Sequence, residues 1–386
     1  MELRVFDIVG TIISDRLSDS MVPKKREDAN FPVDGQLMMI LPRASASVKN
    51  PDVQLPILRS DGEGYYLEMR VEADEAEESE VAVTRRIPLD NLTSEEWEDL
   101  KQQYDNFDLE ACISKGIASG IENIQDRKLQ RLCTALLTFL NPRQVSIVLY
   151  LYKEAARQQN GSLVSFRSND LLENLGYSKT SDGGFASKVR SQLNRDLVTL
   201  HRTELVLAQS LRKGNSLGAK VTVKSVLRIQ GYEIDNVPRD FDLVKAADYT
   251  YELADEYTIS LEFFDGIARS GDYVLFANNS LDLKQKLGTN AKNDYKTKLM
   301  VYLASRMKWD KLQDGNLTIS KSYLLKNLDL LGSNSSRNNQ IFWRTVEELI
   351  QDGYISGAQE LPGQRKASIQ FQVNPEKMKN VSVNLS

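Results

Sequence analysis

Histidine is nearly missing from this chain: His201 is the single one. A paired-histidine metal site beside a nucleophilic tyrosine, as rolling-circle nicking enzymes need, therefore cannot be built, and neither can an H-E-x-x-H zinc site. Cysteine is almost as scarce. Cys112 and Cys133 stand alone, with no CxxC pair, which excludes a zinc knuckle and a disulfide framework and suits a reducing compartment. No Walker A loop occurs. The stretch 214–220 is glycine-containing and basic, but it lacks the G-x-x-x-x-G-K-[ST] spacing and opens no helix. No apolar run approaches the roughly 18–20 residues that span a bilayer, and the start of the chain shows no basic region followed by an apolar one. The expectation is a cytoplasmic protein without membrane contact, metal or cofactor, and not an enzyme. Carboxylate chemistry assembled from distant positions stays open at this stage.

What is present is a folding composition with a divided charge. Hydrophobic residues make up 41% and aromatics 8% of 386 residues, enough for two or three domains with cores of their own. The net charge of −5 conceals an asymmetry. Residues 1–110 hold 25 acids against 12 bases, whereas residues 111–386 hold 29 acids against 37 bases. An acidic head on a basic body points to a polyanion as partner of the body. A merely solvated surface is the alternative.

Residues 1–110 read as an acidic, mostly β domain. Apolar runs at 3–13, 36–41, 54–58, 65–71 and 81–87 look like strands, punctuated by prolines. Residues 72–80 carry six acids in nine positions and read as a solvated loop. Ser94 followed by Glu95 and Glu96 predicts a helix to about 105.

The next stretch, 115–235, orders its elements as helix, short extended piece, helix, turn, basic helix, hairpin. Asn141-Pro142 is a helix start, with asparagine as cap and proline at the first helical position. Residues 163–166 are extended. Ser168 is expected to cap a short helix with Leu171, Leu172 and Leu175 inward, ended by Gly176. After a turn at 180–184, Phe185, Val189, Leu193, Leu197 and Leu200 recur at spacings of four and three. The opposite face shows Lys188, Ser191 and Arg195, with Ser187, Arg190 and Asn194 alongside. A hairpin of strands 205–211 and 220–229 follows, its tip holding Arg212 and Lys213 with Lys220 beside it, while Arg202 closes the helix. This order is that of a winged helix, whose third helix enters the major groove of DNA. Arginine and asparagine pair bidentately with guanine and adenine, and serine and lysine suit phosphates. His201, at the end of that helix, reads as a C-terminal or phosphate-facing residue rather than a catalyst.

The stretch 236–376 begins with an acidic brace: residues 233–282 hold twelve acids and three bases. The earlier order then returns. A helix at 296–309 buries Leu299, Met300, Leu303 and Met307, residues 317–319 are extended, and Ser320 caps a helix with Leu324, Leu325, Leu328 and Leu331 inward. A third helix to about 351 turns Phe342, Val346, Leu349 and Ile350 inward and Arg337, Gln340 and Arg344 outward, with Asn338 and Asn339 at its start. A hairpin of 354–359 and 366–373 carries Arg365 and Lys366 near its tip, and 377–386 is a tail. The fold class expected is α+β: two tandem winged-helix domains behind a small acidic β-rich domain. The second unit is less basic, so less salt-dependent affinity is expected of it.

Residues 140–144 (Leu-Asn-Pro-Arg-Gln), 168–176 (Ser-Asn-Asp-Leu-Leu-Glu-Asn-Leu-Gly) and 187–190 (Ser-Lys-Val-Arg), with 295–303 in the second unit, resemble the tandem winged-helix replication initiators of plasmids, the Rep family. The resemblance covers about 115–375 and leaves the acidic head without a counterpart. It implies binding of double-stranded DNA at repeated origin sites without covalent chemistry. It further implies a switch between dimer and monomer and contact with host replication proteins. A transcriptional regulator on the same modules, and a scaffold that binds protein instead of DNA, are the alternatives.

Overall fold

The structure is a computed structural model. It describes residues 30–44, 57–60, 65–72, 80–86, 125, 140–158, 160–213, 216–235, 237, 253–264, 267, 271–277, 295–309, 315–328, 330, 334–362 and 367–381. The strand expected at 3–13, the helix expected at 94–105, both cysteines, and Arg365 and Lys366 lie outside these residues.

Two halves repeat one topology. The first half runs α2 (Pro142–Gln158), β5 (Leu163–Arg167), α3 (Ser168–Asn174) and α4 (Ser187–His201), then β8 (Arg228–Glu233) and β9 (Glu256–Ser260). The second runs α5 (Tyr295–Trp309), β11 (Asn316–Ser320), α6 (Lys321–Asn327) and α7 (Ser335–Gln351), then β12 (Ile355–Leu361) and β13 (Ser368–Val373). In both, the strand between the first two helices pairs antiparallel with the last strand, which pairs with the one before it: β5-β9-β8 and β11-β13-β12. Even an irregularity recurs, since the register shifts between Ile229 and Gly231 in β8 and between Ile355 and Gly357 in β12. Alternation buries Val164 and Phe166 on β5, and Leu317 and Ile319 on β11, against the helices. The mixture of helices and small antiparallel sheets is α+β.

Local chemistry explains the helix ends. Asn141 and Gln144 form a reciprocal capping box: Gln144 N–H donates to Asn141 Oδ1 at 2.9 Å, and Asn141 N–H donates to Gln144 Oε1 at 3.0 Å. Two orphan donors at the head of α2 are thereby satisfied. Gly176, at φ +82°, takes the left-handed turn that ends α3. Ser168 does not cap α3 through its hydroxyl. The cap position is Arg167, and Ser168 Oγ instead donates to Ala254 O at 2.6 Å, tying α3 to the approach of β9.

Strand pairing departs from the sequence expectation in three places. The strand β9 lies in the stretch read as an acidic brace, yet it is the central strand of the first half's sheet. The hairpin after α4 breaks at 226–227: β6 (Glu204–Lys213) and β7 (Ser216–Ser225) leave the three-stranded sheet and join β2 (Ile57–Ser60), β3 (Tyr65–Glu72) and β4 (Glu80–Arg86) in the order β2-β3-β4-β6-β7. The acidic β region and the basic hairpin therefore share one sheet through the pairs Val81–Gln209 and Ala82–Ala208. Residues 36–41, expected as a strand, lie in a helix, α1 (Gly35–Ala44). Asp34 Oδ1 accepts from the N–H groups of Gln36 and Leu37, and Leu37, Met38, Ile40 and Leu41 bury one helical stripe. A short apolar run carries both periods, and here the aspartate cap decides between them.

The segment β1 (Phe31–Asp34) plus α1 is packed between the halves. The strand β1 pairs with β10 (Tyr273–Phe276), which pairs with β14 (Met378–Val381), while β1 also packs on α2 and α1 packs on α5. Gly35 N–H donates to Asp272 O at 3.0 Å, and Asp272 pairs with Lys308 of α5, 7% exposed, whose Nζ also donates to Asn380 Oδ1 at 2.7 Å and Val381 O at 3.0 Å. Gly35 sits directly on this group: a Cβ there would lie 2.6 Å from both Asp272 Oδ2 and Lys308 Cε. Residues 31–44 thus help set how the two repeats sit against each other.

Candidate nucleic-acid interface

The third helix of each half carries the residues of interest. Packing fixes which face of α4 is available. Leu193, Leu197 and Leu200 are buried, so Lys188, Ser191 and Arg195 lie on the exposed side, with Ser187 exposed at the helix start. These positions follow the i, i+3, i+7 spacing of one helical stripe. Among the described residues neither Lys188 nor Arg195 has an ion pair or hydrogen-bond partner for its side chain.

Two residues grouped with that face belong to the interior. Asn194 is 6% exposed, and its Oδ1 accepts from Tyr257 Oη at 3.4 Å. Tyr257 Oη also accepts from Ala254 N–H at 3.0 Å, and burial pushes its phenol up to about 12. Arg190 is half-buried. It donates to Leu253 O at 3.1 Å and Asn169 Oδ1 at 3.4 Å and pairs with Asp255 at 3.7 Å. Asn194 thus holds α4 to β9 itself, and Arg190 holds it to the approach of β9. Helical periodicity could not reveal this, because their partners lie some sixty positions onward.

The chief holder of α4 is Asp196. It is 2% exposed. It pairs with Arg143 and accepts from Gln144 Nε2 at 3.2 Å and Asn141 Nδ2 at 3.4 Å. The capping box that opens α2 thus also grips α4. A polar residue at a core position of an amphipathic helix was the available signal.

The hairpin residues divide. Arg202 is half-buried just beyond α4 and makes its own internal contact. Register pairs Arg212 with Leu217, Lys213 with Ser216 and Lys220 with Gln209. Lys224 stands 4.7 Å over the Phe263 ring, and Arg228 pairs with Glu262 and, at 3.6 Å, with Glu204. Part of the basic excess is spent inside the protein. His201 is another internal group: its Nδ1 accepts from Ile229 N–H at 3.1 Å, and burial, with Arg228 nearby, lowers its pKa.

In the second half Phe342, Val346 and Leu349 are buried, whereas Ile350, expected inward, is 39% exposed. Arg337, Gln340 and Arg344 are exposed, and Asn338 and Asn339 are half-buried. Asn334 caps α7, its Oδ1 accepting from Arg337 N–H at 3.1 Å. Arg344 is held by Glu348 at 3.2 Å.

The cores of the two helices match at one constant offset: Leu193 with Phe342, Leu197 with Val346, Leu200 with Leu349. The same offset matches Ser187 with Ser336, Lys188 with Arg337, Ser191 with Gln340 and Arg195 with Arg344. Both halves thus present a cation, a neutral polar residue and a cation in one stripe, over equivalent buried positions.

Comparison with known proteins adds little. No protein-family model matches, and no curated protein matches. Among solved structures, a selenomethionine crystal structure of domains 2 and 3 of RctB shares 12% identity over 86% of this chain and 98% of that one, with a TM-score of 0.43. A second crystal structure of RctB domains 2–3 covers 90% and 98% at 11% identity and a TM-score of 0.38. Likeness at this level carries no conclusion about fold or function.

Among the described residues no cluster of three or more histidine, cysteine or acidic side chains is arranged to hold a metal ion. Among them, too, no helix is long and apolar enough to cross a membrane.

Proposed function

We propose that this chain binds double-stranded DNA in a sequence-specific manner through two winged-helix units and acts in replication initiation without covalent chemistry. The observation that carries the reading is the matched stripe. Lys188, Ser191 and Arg195 on α4 occupy the positions of Arg337, Gln340 and Arg344 on α7, exposed over equivalent cores. A solvated face has no need to repeat its charges position by position, whereas two helices entering successive major grooves do. The first unit is the stronger anchor, because Lys188 and Arg195 lack internal partners among the described residues while Arg344 is engaged by Glu348. Phosphate attraction gives affinity and the neutral polar residues help give sequence preference. The replication role comes from the resemblance to plasmid initiators.

Selection of bound fragments from genomic DNA tests the reading. Direct repeats spaced by multiples of a helical turn support an initiator. Single palindromes at promoters would move the protein to transcriptional regulation, and no enrichment at all would leave the units as protein-binding modules.

A further inference from the structure

The offset that matches the two stripes also isolates where they differ. Their outer members are cations in both halves, Lys188 and Arg195 against Arg337 and Arg344. The middle member is Ser191 in the first half and Gln340 in the second, and both are exposed. Beyond these three positions the halves differ in several places, among them buried Val198 against exposed Glu347 in the last turns of the helices. Arg190 corresponds to Asn339 and Asn194 to Trp343, and all four are at least half-buried. Asn194 bonds Tyr257, Arg190 bonds Leu253, and Trp343 packs edge-on to Phe342 at 5.3 Å. A base in the groove would meet the middle residue first as the difference between the units.

Resting on the DNA-binding reading, we infer that Gln340 is the residue that sets the second unit's sequence preference apart from the first, by reading an adenine. A glutamine carboxamide offers one acceptor and two donors, matching N6–H and N7 of adenine at once. The serine hydroxyl at the equivalent position is too short for a two-point contact and accepts several bases. The flanking cations hold the phosphates on either side, so the carboxamide need not contribute to positioning. The protein then recognises two related half-sites, of which the second is the more selective at one base pair.

The test is a swap in the full chain. Wild type, Gln340→Ser and Ser191→Gln are each used to select duplexes from a random pool, and the selected and singly mismatched duplexes are titrated by fluorescence anisotropy. Wild type is expected to prefer adenine at one position of one half-site by about 5- to 100-fold over other bases. Gln340→Ser removes that preference: its affinity for the adenine-containing duplex falls to that for the singly mismatched ones, which changes little. Ser191→Gln creates an adenine preference at the matching position of the other half-site, a gain that loss of folding cannot imitate. Selected sites that are identical for all three proteins would overturn the inference and leave DNA binding standing. If the wild type itself enriches no sequence, the DNA-binding reading falls and this inference with it.

Discussion

Replacing Asp196 by alanine should unlock α4. The carboxylate is nearly inaccessible and receives Arg143, Gln144 and Asn141 together. Its loss leaves the Arg143 guanidinium, 16% exposed, and two amides facing an empty space. Breaking a buried ion pair from one side typically costs 3–5 kcal/mol. Partial access of water to Arg143 argues for the lower end, and each orphaned amide bond adds at most about 1 kcal/mol. The expectation is a loss of about 3–4 kcal/mol in the first half. Chemical denaturation followed by circular dichroism measures it, and hydrogen exchange localises it to α2 and α4. Asp196→Asn, which keeps the volume and one acceptor, should lose about half as much. Removing both partners, as Asp196→Leu with Arg143→Met, should be less harmful than Asp196→Ala alone, because no charge remains uncompensated. A loss below about 1 kcal/mol for Asp196→Ala, or a double variant worse than the sum of its singles, would refute the reasoning.

Four further outcomes follow from the same structure. Gly35→Ala forces a methyl against Asp272 and Lys308 and should destabilise the docking of 31–44 by about 1–3 kcal/mol, read as faster hydrogen exchange in α1. Asp34, whose pKa is raised by burial to about 6 against the attraction of Lys224 and its backbone hydrogen bonds and with the help of Asp272, titrates near neutrality beside Lys308. Because its folded value lies above the unfolded 3.8, its contribution is full below that value and lost as pH rises through about 6; the contact should gain up to about 3 kcal/mol on acidification, and Asp34→Asn should flatten the dependence in a pH series of the same exchange. Asn194→Ala should cost about 1–2 kcal/mol in denaturation by leaving the Tyr257 hydroxyl short of an acceptor. Arg190→Ala should lower thermal stability yet leave the salt slope of DNA binding near wild type, in contrast to Lys188→Ala, since Arg190 is spent on Leu253, Asn169 and Asp255.

Local signals carried the parts of this chain that were legible without coordinates. The capping pair at Asn141, the glycine at 176 and the apolar stripe from Phe185 to Leu200 each rest on residues close in sequence, and each marks a real boundary or buried face. Local pattern failed where partners are distant. The strand β5 finds β9 across about ninety residues, and nothing at 163–167 announces that choice over the nearer hairpin. The pairing of β4 with β6 rests on two register pairs between segments of opposite charge bias. Asn194 and Arg190 have the side-chain chemistry of base readers, but β9 and its approach claim them first. The repeat is legible as a returning order of elements and not as matching residues, because its halves keep chemistry more than identity: leucine stands for phenylalanine and valine in the core, lysine for arginine on the stripe.

The salt dependence of DNA affinity tests the central claim most directly. A duplex from the genomic selection is titrated by anisotropy from low to physiological salt, with wild type and with Lys188→Ala combined with Arg195→Ala. Log affinity is expected to fall steeply with log salt for wild type, and the double variant to bind more weakly with a slope shallower by about 2, one for each lost phosphate contact. An unchanged slope and affinity in the double variant would contradict the placement of the α4 stripe on DNA.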